Sequence, residues 1–266
     1  MTIPRSITDG KPFLSEWAIL AGYRGSIAHG TYRPNSDATS IDDKDVMFVC
    51  VPPMEYYVGL LEFAHRGTRE IKHDEWDIVV YEARKFIGLL AQGNPNVLMM
   101  LWLPEKYYLR VEPAGQLILD SRRLFVGRHV YRSFTGYAYG QLHRMTHGAF
   151  EGFMGAKRKA LVEKFGYDTK NAAHLVRLLR MGIEFLKDGE LYVEREDATE
   201  LLEIKRGEWS LERVKALSDD LFKRSEDAYL ASTLPAQPDR EAIHNLCVQV
   251  VLAGWPDKPS MPTVVQ

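Results

Sequence analysis

Three aspartates stand close together directly before an apolar run in the first third of the chain. Asp42, Asp43 and Asp45 precede the segment VMFVCV (46–51), whose composition predicts a buried strand. Like charges repel one another, and a buried carboxylate is costly unless a cation lies beside it. Two alternatives follow: the acids lie in a solvated turn at the mouth of the strand, or they hold metal ions.

The spacing of the acids favours metal binding. Asp43 and Asp45 are two residues apart, so on a strand their side chains point to one face while that of Lys44 points to the other. Two carboxylates on one face can hold a pair of Mg²⁺ ions about 3.5–4 Å apart, the arrangement that serves in-line displacement at phosphorus. Because Mg²⁺ prefers few carboxylates together with phosphate oxygens, such a site leaves room for a nucleoside triphosphate. Mn²⁺ is the expected substitute for Mg²⁺.

A Gly-Ser pair upstream of the acids could bind phosphate. Gly25 and Ser26 follow the apolar segment WAILAG (17–22) and are expected at a helix N-terminus, where N–H groups and a hydroxyl can hold phosphate oxygens. Gly25 and Gly30 have the spacing of a phosphate loop, but Thr31 follows where that motif needs lysine. Alone, the pair is equally typical of an ordinary turn.

A basic stripe lies on a later helix. Lys170, His174 and Arg177 are spaced four and three residues apart, which places them on one face of the helix predicted over 170–187. Leucines occupy the other face. The stripe could bind a triphosphate or an RNA backbone, or it could be a solvated helix face. The spacing alone leaves both alternatives open.

The elements that must position these residues divide the chain in two. Before about Leu124 the pattern predicts strands at 17–22, 46–51 and 76–81, and helices at 82–92 and after Asn94-Pro95. Beyond it, apart from LYV at 191–193, helical spacing predominates. The predicted helices are 126–147, 150–164, 170–187, 197–205, 210–230 and 238–252. We expect an α+β fold: a domain over 1–124 with a small mixed sheet, a helical domain over 125–255 and a flexible tail over 256–266.

Composition argues against several other classes of protein. The 266 residues are 45% hydrophobic and 26% charged with a net charge of −2, which is unlike a general polycation for nucleic acid. Cys50 and Cys247 show no pairing pattern and fit a reducing cytoplasm. The N-terminal residues lack the apolar core of a signal peptide, and no apolar run reaches the length of a membrane span. We therefore expect a cytoplasmic protein without membrane contact.

These motifs together resemble the DNA polymerase β superfamily of nucleotidyltransferases. The resemblance covers most of residues 20–205, and within the superfamily it points to the stand-alone predicted nucleotidyltransferases of bacteria and phages. It is carried by GSIAHGTY, SIDDKDVMFV, MEYYVGL, YEARKF, GNPNVLMMLW and DTKNAAHLVRLL. It implies a polymerase β-like domain followed by helices, and Mg²⁺-dependent transfer of a nucleoside monophosphate from a triphosphate to an acceptor hydroxyl, with release of pyrophosphate. The acceptor implied is tRNA or other RNA, a protein or a small molecule.

The resemblance also implies a third carboxylate on a neighbouring strand. Asp77 in EWDIVVY is the expected residue, with Asp74 and Glu82 as the competing acids. The expected catalytic residues are Asp43, Asp45 and Asp77, of which Asp43 and Asp45 hold metal. The expected nucleotide-binding residues are Gly25, Ser26, Lys170, His174 and Arg177. Two other functions stay open: a catalytically silent nucleotide-binding or regulatory module, and a metal-dependent phosphoesterase, which needs more His and Asp ligands than the first domain offers.

Overall fold

A mixed sheet of five strands forms the first half of the molecule. The computed structural model describes residues 3–34, 43–147 and 156–255. The strands are β1 (Ala18–Tyr23), β2 (Lys44–Cys50), β3 (Thr68–His73), β4 (Trp76–Glu82) and β5 (Tyr108–Val111). Their order across the sheet is β3-β4-β2-β1-β5. β2 and β4 run parallel, whereas the other neighbouring pairs run antiparallel.

Helices cover the sheet and make up the second half. The first-half helices are α1 (Arg5–Thr8), α2 (Pro12–Glu16), α3 (Gly25–Ala28), α4 (Glu55–Val58), α5 (Ala83–Ala91), α6 (Pro95–Leu98) and α7 (Pro113–Asp120). Three short 3₁₀ helices span Met99–Trp102, Glu105–Tyr107 and Arg122–Phe125. The second-half helices are α8 (Val130–His147), α9 (Ala156–Phe165), α10 (Thr169–Asp188), α11 (Ala198–Arg206), α12 (Leu211–Ala231) and α13 (Arg240–Gly254). None of the helices that the structure describes combines the length and apolar character needed to cross a membrane.

Alternation along β2 separates two apolar cores. Val46, Phe48 and Cys50 face a small core that includes residues of α1 and α2. Met47 and Val49 face the larger core, which continues through the helices of the second half. Because side chains alternate along a strand, Asp45 lies on the same face as Met47 and is directed toward the helical half.

The helix α10 organises the second half. Asp168 caps its first turn by accepting a hydrogen bond from the Asn171 N–H, and Gly189 ends it in the left-handed conformation. α10 packs against α8, α11 and α12, whereas α13 packs against α5 and α7 beside the sheet. One core is thus shared by both halves, and the domain boundary expected at residue 124 stays a prediction.

The α+β class expected from the sequence is confirmed, but two edge strands were not predicted. β3 reads TREIKH and β5 is four residues long, so neither carries the apolar run of a buried strand. The segment 191–193 forms no strand. Asp42 and residues 148–155, which include the start of the helix predicted over 150–164, lie outside the described residues.

Candidate active site

Gly25 occupies a position that no other residue fits. It follows β1 with a φ of +60°, a conformation that favours glycine. A Cβ added there would overlap the Oδ2 atom of Asp45. The Arg24 N–H donates to the Asp45 carbonyl oxygen at 3.0 Å, which holds the turn against β2. Glycine therefore allows the backbone before α3 to lie directly against a carboxylate.

The hydroxyl of Ser26 is buried and unsatisfied. Its Oγ atom has no hydrogen-bond partner among the residues that the structure describes. A buried polar atom without a partner costs about 1–3 kcal/mol, so such atoms need an explanation, such as a ligand absent from the structure. Ser26 lines a cavity of about 190 Å³ together with Gly25 and Asp45. Its hydroxyl is therefore available to a molecule in that cavity.

Two carboxylates lie side by side on the sheet, and one of them, Asp45, lines this cavity. Asp45 of β2 is paired in register with Asp77 of the parallel strand β4, so both point to the helical face of the sheet. One Arg24 guanidinium nitrogen, Nη2, lies 3.4 Å from Asp45 Oδ1 and 3.9 Å from Asp77 Oδ1. A cation is thus already accommodated between the two acids.

The Asp45 carboxyl is harder to ionise than an ordinary aspartate. Its pKa is raised to about 6, mainly by burial and also by the negative charges of Asp77 and Asp43, while the charges of Arg24 and Lys170 act in the opposite direction. The nearby cations therefore do not fully stabilise the ionised Asp45 side chain, and an added cation would stabilise it further. Asp43 is exposed and lies one residue before β2 begins.

Neither competing acid is placed like Asp77. Asp74 lies in the turn between β3 and β4, and its side chain is exposed beside His73. Glu82 ends β4 five residues beyond Asp77, about 16 Å along the strand. There it caps α5 by accepting hydrogen bonds from the N–H groups of Arg84 and Lys85. Of the three acids considered for the third carboxylate, Asp77 is the one that the strand register places beside Asp45.

The basic stripe of α10 forms the opposite wall of the cavity. Lys170, His174 and Arg177 all line it, together with Ser26 and Asp45. Lys170 is near enough to oppose the raised pKa of Asp45. Burial, followed by the charges of Arg177 and Lys170, holds the pKa of His174 well below its usual value. The stripe therefore faces Asp45 across the cavity, and the imidazole of His174 is neutral at pH 7.

Arg177 is a half-buried cation that forms no ion pair with a carboxylate in the described part of the chain. Burial and the neighbouring charge of Arg195 lower its pKa to about 10. Its guanidinium donates to the sulfur of Met181 at 3.2 Å, and no described carboxylate forms an ion pair with it. By contrast, Arg195 is paired with both Glu184 and Asp197. A half-buried guanidinium without a direct ion pair is well suited to bind an anion.

His29 was not predicted from the sequence as a site residue. It is 3% exposed and lines the cavity, and its Nδ1 atom donates to the Val193 carbonyl oxygen at 2.8 Å. Since that partner can only accept, Nδ1 carries the proton and Nε2 is left as the second polar atom of the ring. Burial keeps the pKa of His29 well below its usual value. Its position three residues after Ser26 was the one available signal.

Mg²⁺ fits this set of oxygens. Asp45 and Asp77 both lie within 4 Å of one Arg24 guanidinium nitrogen, and Asp43 is near enough for its charge to raise the pKa of Asp45. Within residues 3–34, 43–147 and 156–255, no three carboxylate, imidazole or thiol groups form a complete ligand set. Mg²⁺ commonly takes one or two carboxylates and completes its shell with phosphate oxygens and water, so the acids would bind it together with a nucleotide.

Comparison with known proteins gives a family match over most of the chain. The model of the RNA repair pathway DNA polymerase beta family matches residues 17–249. Among the solved structures, a nucleotidyltransferase-like protein from Exiguobacterium sibiricum 255-15 is similar at 11% identity, with a TM-score of 0.29, over 94% of this chain and 75% of that one. That likeness is too distant to carry an argument about the site. No curated protein sequence matches.

Proposed function

The chain belongs to the RNA repair pathway DNA polymerase beta family, and from that membership we propose that it transfers a nucleoside monophosphate from a nucleoside triphosphate to an acceptor hydroxyl. The observation that supports this most is the paired register of Asp45 and Asp77 opposite the cations of α10, with the unsatisfied Ser26 hydroxyl between these walls. The family description names RNA repair, so we propose an RNA hydroxyl as the acceptor.

The triphosphate would lie between Ser26 and α10. The Ser26 hydroxyl would donate to a phosphate oxygen, which satisfies an otherwise unpartnered atom. Arg177 would donate to the same anion, and the imidazole of His174 would take up a proton as phosphate charge arrives. Asp43 and Asp45 would hold two Mg²⁺ ions, which supply Lewis-acid stabilisation of the phosphate charge. Arg24 would then move away from the acids.

The chemical step is an in-line displacement at the α-phosphorus. Asp77 would accept the proton of the acceptor hydroxyl as its oxygen forms the new bond to phosphorus. The bond to the bridging oxygen of pyrophosphate breaks, and the electron pair leaves with pyrophosphate. The cations of α10 would stabilise that leaving group, so catalysis consists of positioning and charge stabilisation without a covalent enzyme intermediate.

Transfer can be tested with nucleotides labelled at two positions. The protein is incubated with Mg²⁺, RNA bearing free hydroxyl ends, and each nucleoside triphosphate labelled at either the α- or the γ-phosphate. We expect α-label on RNA and γ-label in pyrophosphate. Asp45→Asn should abolish transfer because it removes a charged oxygen from the site. Asp74→Asn is the matched control, since this exposed acid of the same sheet lies in a turn.

Three other outcomes would contradict the proposal. Label moved from the γ-position to RNA would indicate a kinase. Release of phosphate without an acceptor would indicate a phosphoesterase. Binding of nucleotide without any turnover, with RNA, protein and small-molecule acceptors all supplied, would indicate a silent nucleotide-binding module.

A further inference from the structure

Arg24 holds the two acids of the site more loosely than Arg195 holds its own partner. The Nη2 atom of Arg24 lies 3.4 Å from Asp45 Oδ1 and 3.9 Å from Asp77 Oδ1. By contrast, the Nε atom of Arg195 donates to Asp197 at 2.8 Å, the usual length of a charge-assisted hydrogen bond. Arg24 is therefore a nearby counterion of the acids rather than a tightly bonded partner.

The protein leaves part of the Arg24 guanidinium unsatisfied. Its Nε atom is buried and has no hydrogen-bond partner among the residues that the structure describes. A buried N–H group without a partner is costly, so this orientation is not the one in which the guanidinium donates best. The side chain borders the cavity that Ser26, Lys170 and Arg177 also line. Arg24 therefore has an unused donor beside the space where the nucleotide is proposed to bind.

Arg24 and a metal ion would compete for the same carboxylate oxygen. Mg²⁺ binds oxygens at about 2.0–2.1 Å, so an ion on Asp45 Oδ1 would lie within about 5.5 Å of Arg24 Nη2. Two cations so close together repel strongly at a partly desolvated site. A metal ion bound to Asp45 would therefore displace the guanidinium, provided that another anion receives it.

The phosphates of a nucleotide are such an anion. Arginine forms charge-assisted and frequently bidentate hydrogen bonds with phosphate oxygens. We propose that Arg24 occupies the cation site in the absence of nucleotide, and that it moves to the triphosphate when metal binds the acids. Metal and nucleotide then bind cooperatively, because the metal replaces Arg24 at the acids while the phosphates bind the released guanidinium. This inference rests on the proposed nucleotide site and adds a coupling between its two ligands.

Two binding measurements without turnover test this coupling. The first follows Mn²⁺ alone by electron paramagnetic resonance, and the second follows tripolyphosphate alone by calorimetry in metal-free buffer. Both are made at pH 8, because removing Arg24 raises the pKa of Asp45 further and the carboxylate must stay ionised. Arg24→Met and Arg24→Gln remove the charge, whereas Arg24→Lys keeps it. Arg110→Met is the matched control, since Arg110 of β5 is paired with Glu112 and is similarly exposed.

We expect both neutral variants to bind Mn²⁺ about 5-fold or more tightly than the wild-type protein, and tripolyphosphate about 5-fold or more weakly. Arg24→Lys should bind Mn²⁺ as the wild-type protein does, and Arg110→Met should change neither affinity. Changes in opposite directions distinguish this role from a structural one, because a distorted site would bind both ligands less tightly.

An unchanged or lower Mn²⁺ affinity in the folded neutral variants would overturn the role of Arg24 and leave the nucleotidyltransferase proposal intact. Unchanged tripolyphosphate binding in these variants would overturn the move of Arg24 to the phosphates. Tripolyphosphate that binds neither the wild-type protein nor Arg24→Lys would overturn the proposed nucleotide site as well.

Discussion

Replacing Asp45 with asparagine should stabilise the fold while it abolishes catalysis. The folded protein raises the pKa of this carboxyl from 3.8 to about 6, so at pH 7.5 the ionised side chain is held at a cost. A shift of about two units corresponds to about 3 kcal/mol, and the side chain is only 24% exposed, so solvent screens little of it. Asparagine has the same shape without the charge, but it loses the charged hydrogen bond from Arg24. We expect a net gain of about 1–3 kcal/mol.

The dependence on pH identifies the cause of this gain. A group whose folded-state pKa is raised is favourable to stability below its unfolded pKa, and that contribution is lost as pH rises through the folded pKa. The advantage of Asp45→Asn should therefore be full above about pH 7, shrink as the pH falls below 6, and vanish near pH 4. Urea unfolding at several pH values, without Mg²⁺, measures it. Asp74→Asn, which changes an exposed acid, should show no such gain.

Ligand binding supplies the second half of this test. Mg²⁺ with a nonhydrolysable nucleotide should raise the unfolding midpoint of the wild-type protein and leave that of Asp45→Asn nearly unchanged, because the metal needs the carboxylate. A variant that is less stable than the wild type at pH 7.5, or whose advantage does not fall with pH, would refute the proposal that a desolvated charge is stored at Asp45.

Three further variants test the remaining walls of the site. Ser26→Ala should weaken nucleotide binding about 5-fold to 150-fold. It should leave the urea unfolding midpoint unchanged or higher, because the lost hydroxyl has no described partner. An unchanged affinity in calorimetry would show that the residue only forms a turn. Replacing Lys170 and Arg177 together with methionine should raise KM and reduce its dependence on salt, and an unchanged salt slope would remove them from the phosphate site. His174→Gln should make stability less sensitive to acid. The folded-state pKa of His174 is lowered, so the stability of the wild-type protein falls as the pH drops through about 6.5. Equal acid sensitivity of the two proteins in urea titrations would contradict this.

The spacing of the basic stripe left two environments open. On a solvated helix face, neutralising Lys170 and Arg177 would barely alter stability. In the structure Lys170, His174 and Arg177 line a cavity, where burial and then the charges of Arg177 and Lys170 lower the pKa of His174. Neutralisation should therefore relieve repulsion and stabilise the protein slightly.

Local pattern predicted those parts of the site that are set by the chain itself. The apolar runs predicted β1, β2 and β4 to within about two residues, and alternation placed Asp45 on one face of β2. Asp77 could be named from the resemblance, but only the parallel register of β2 and β4 shows that it lies beside Asp45.

Residues positioned by tertiary packing had at most a weak signal in the sequence. A single glutamine in an amphipathic helix and a single histidine after a turn carry no periodicity. Gln141 enters the cavity because of the register between α8 and α10, and His29 because Val193, far along the chain, offers it a carbonyl oxygen. Such placements depend on how helices dock, which a pattern of apolar residues constrains only coarsely.

The bonds of the Gly-Ser segment to the helical half also bear on how the protein folds. His29 is joined to a residue 164 positions away, and the Lys205 ammonium donates to the Thr31 carbonyl oxygen across 174 positions. Contacts so distant in sequence form late, because long loops must close first. During synthesis, the strands bearing Asp45 and Asp77 can pair long before α11 has left the ribosome. A nascent chain that ends before Leu178 would therefore hold its acids without the residues of α10 that line the cavity facing them, and it would lack the bond from Lys205 to the Thr31 carbonyl oxygen until α11 has been made.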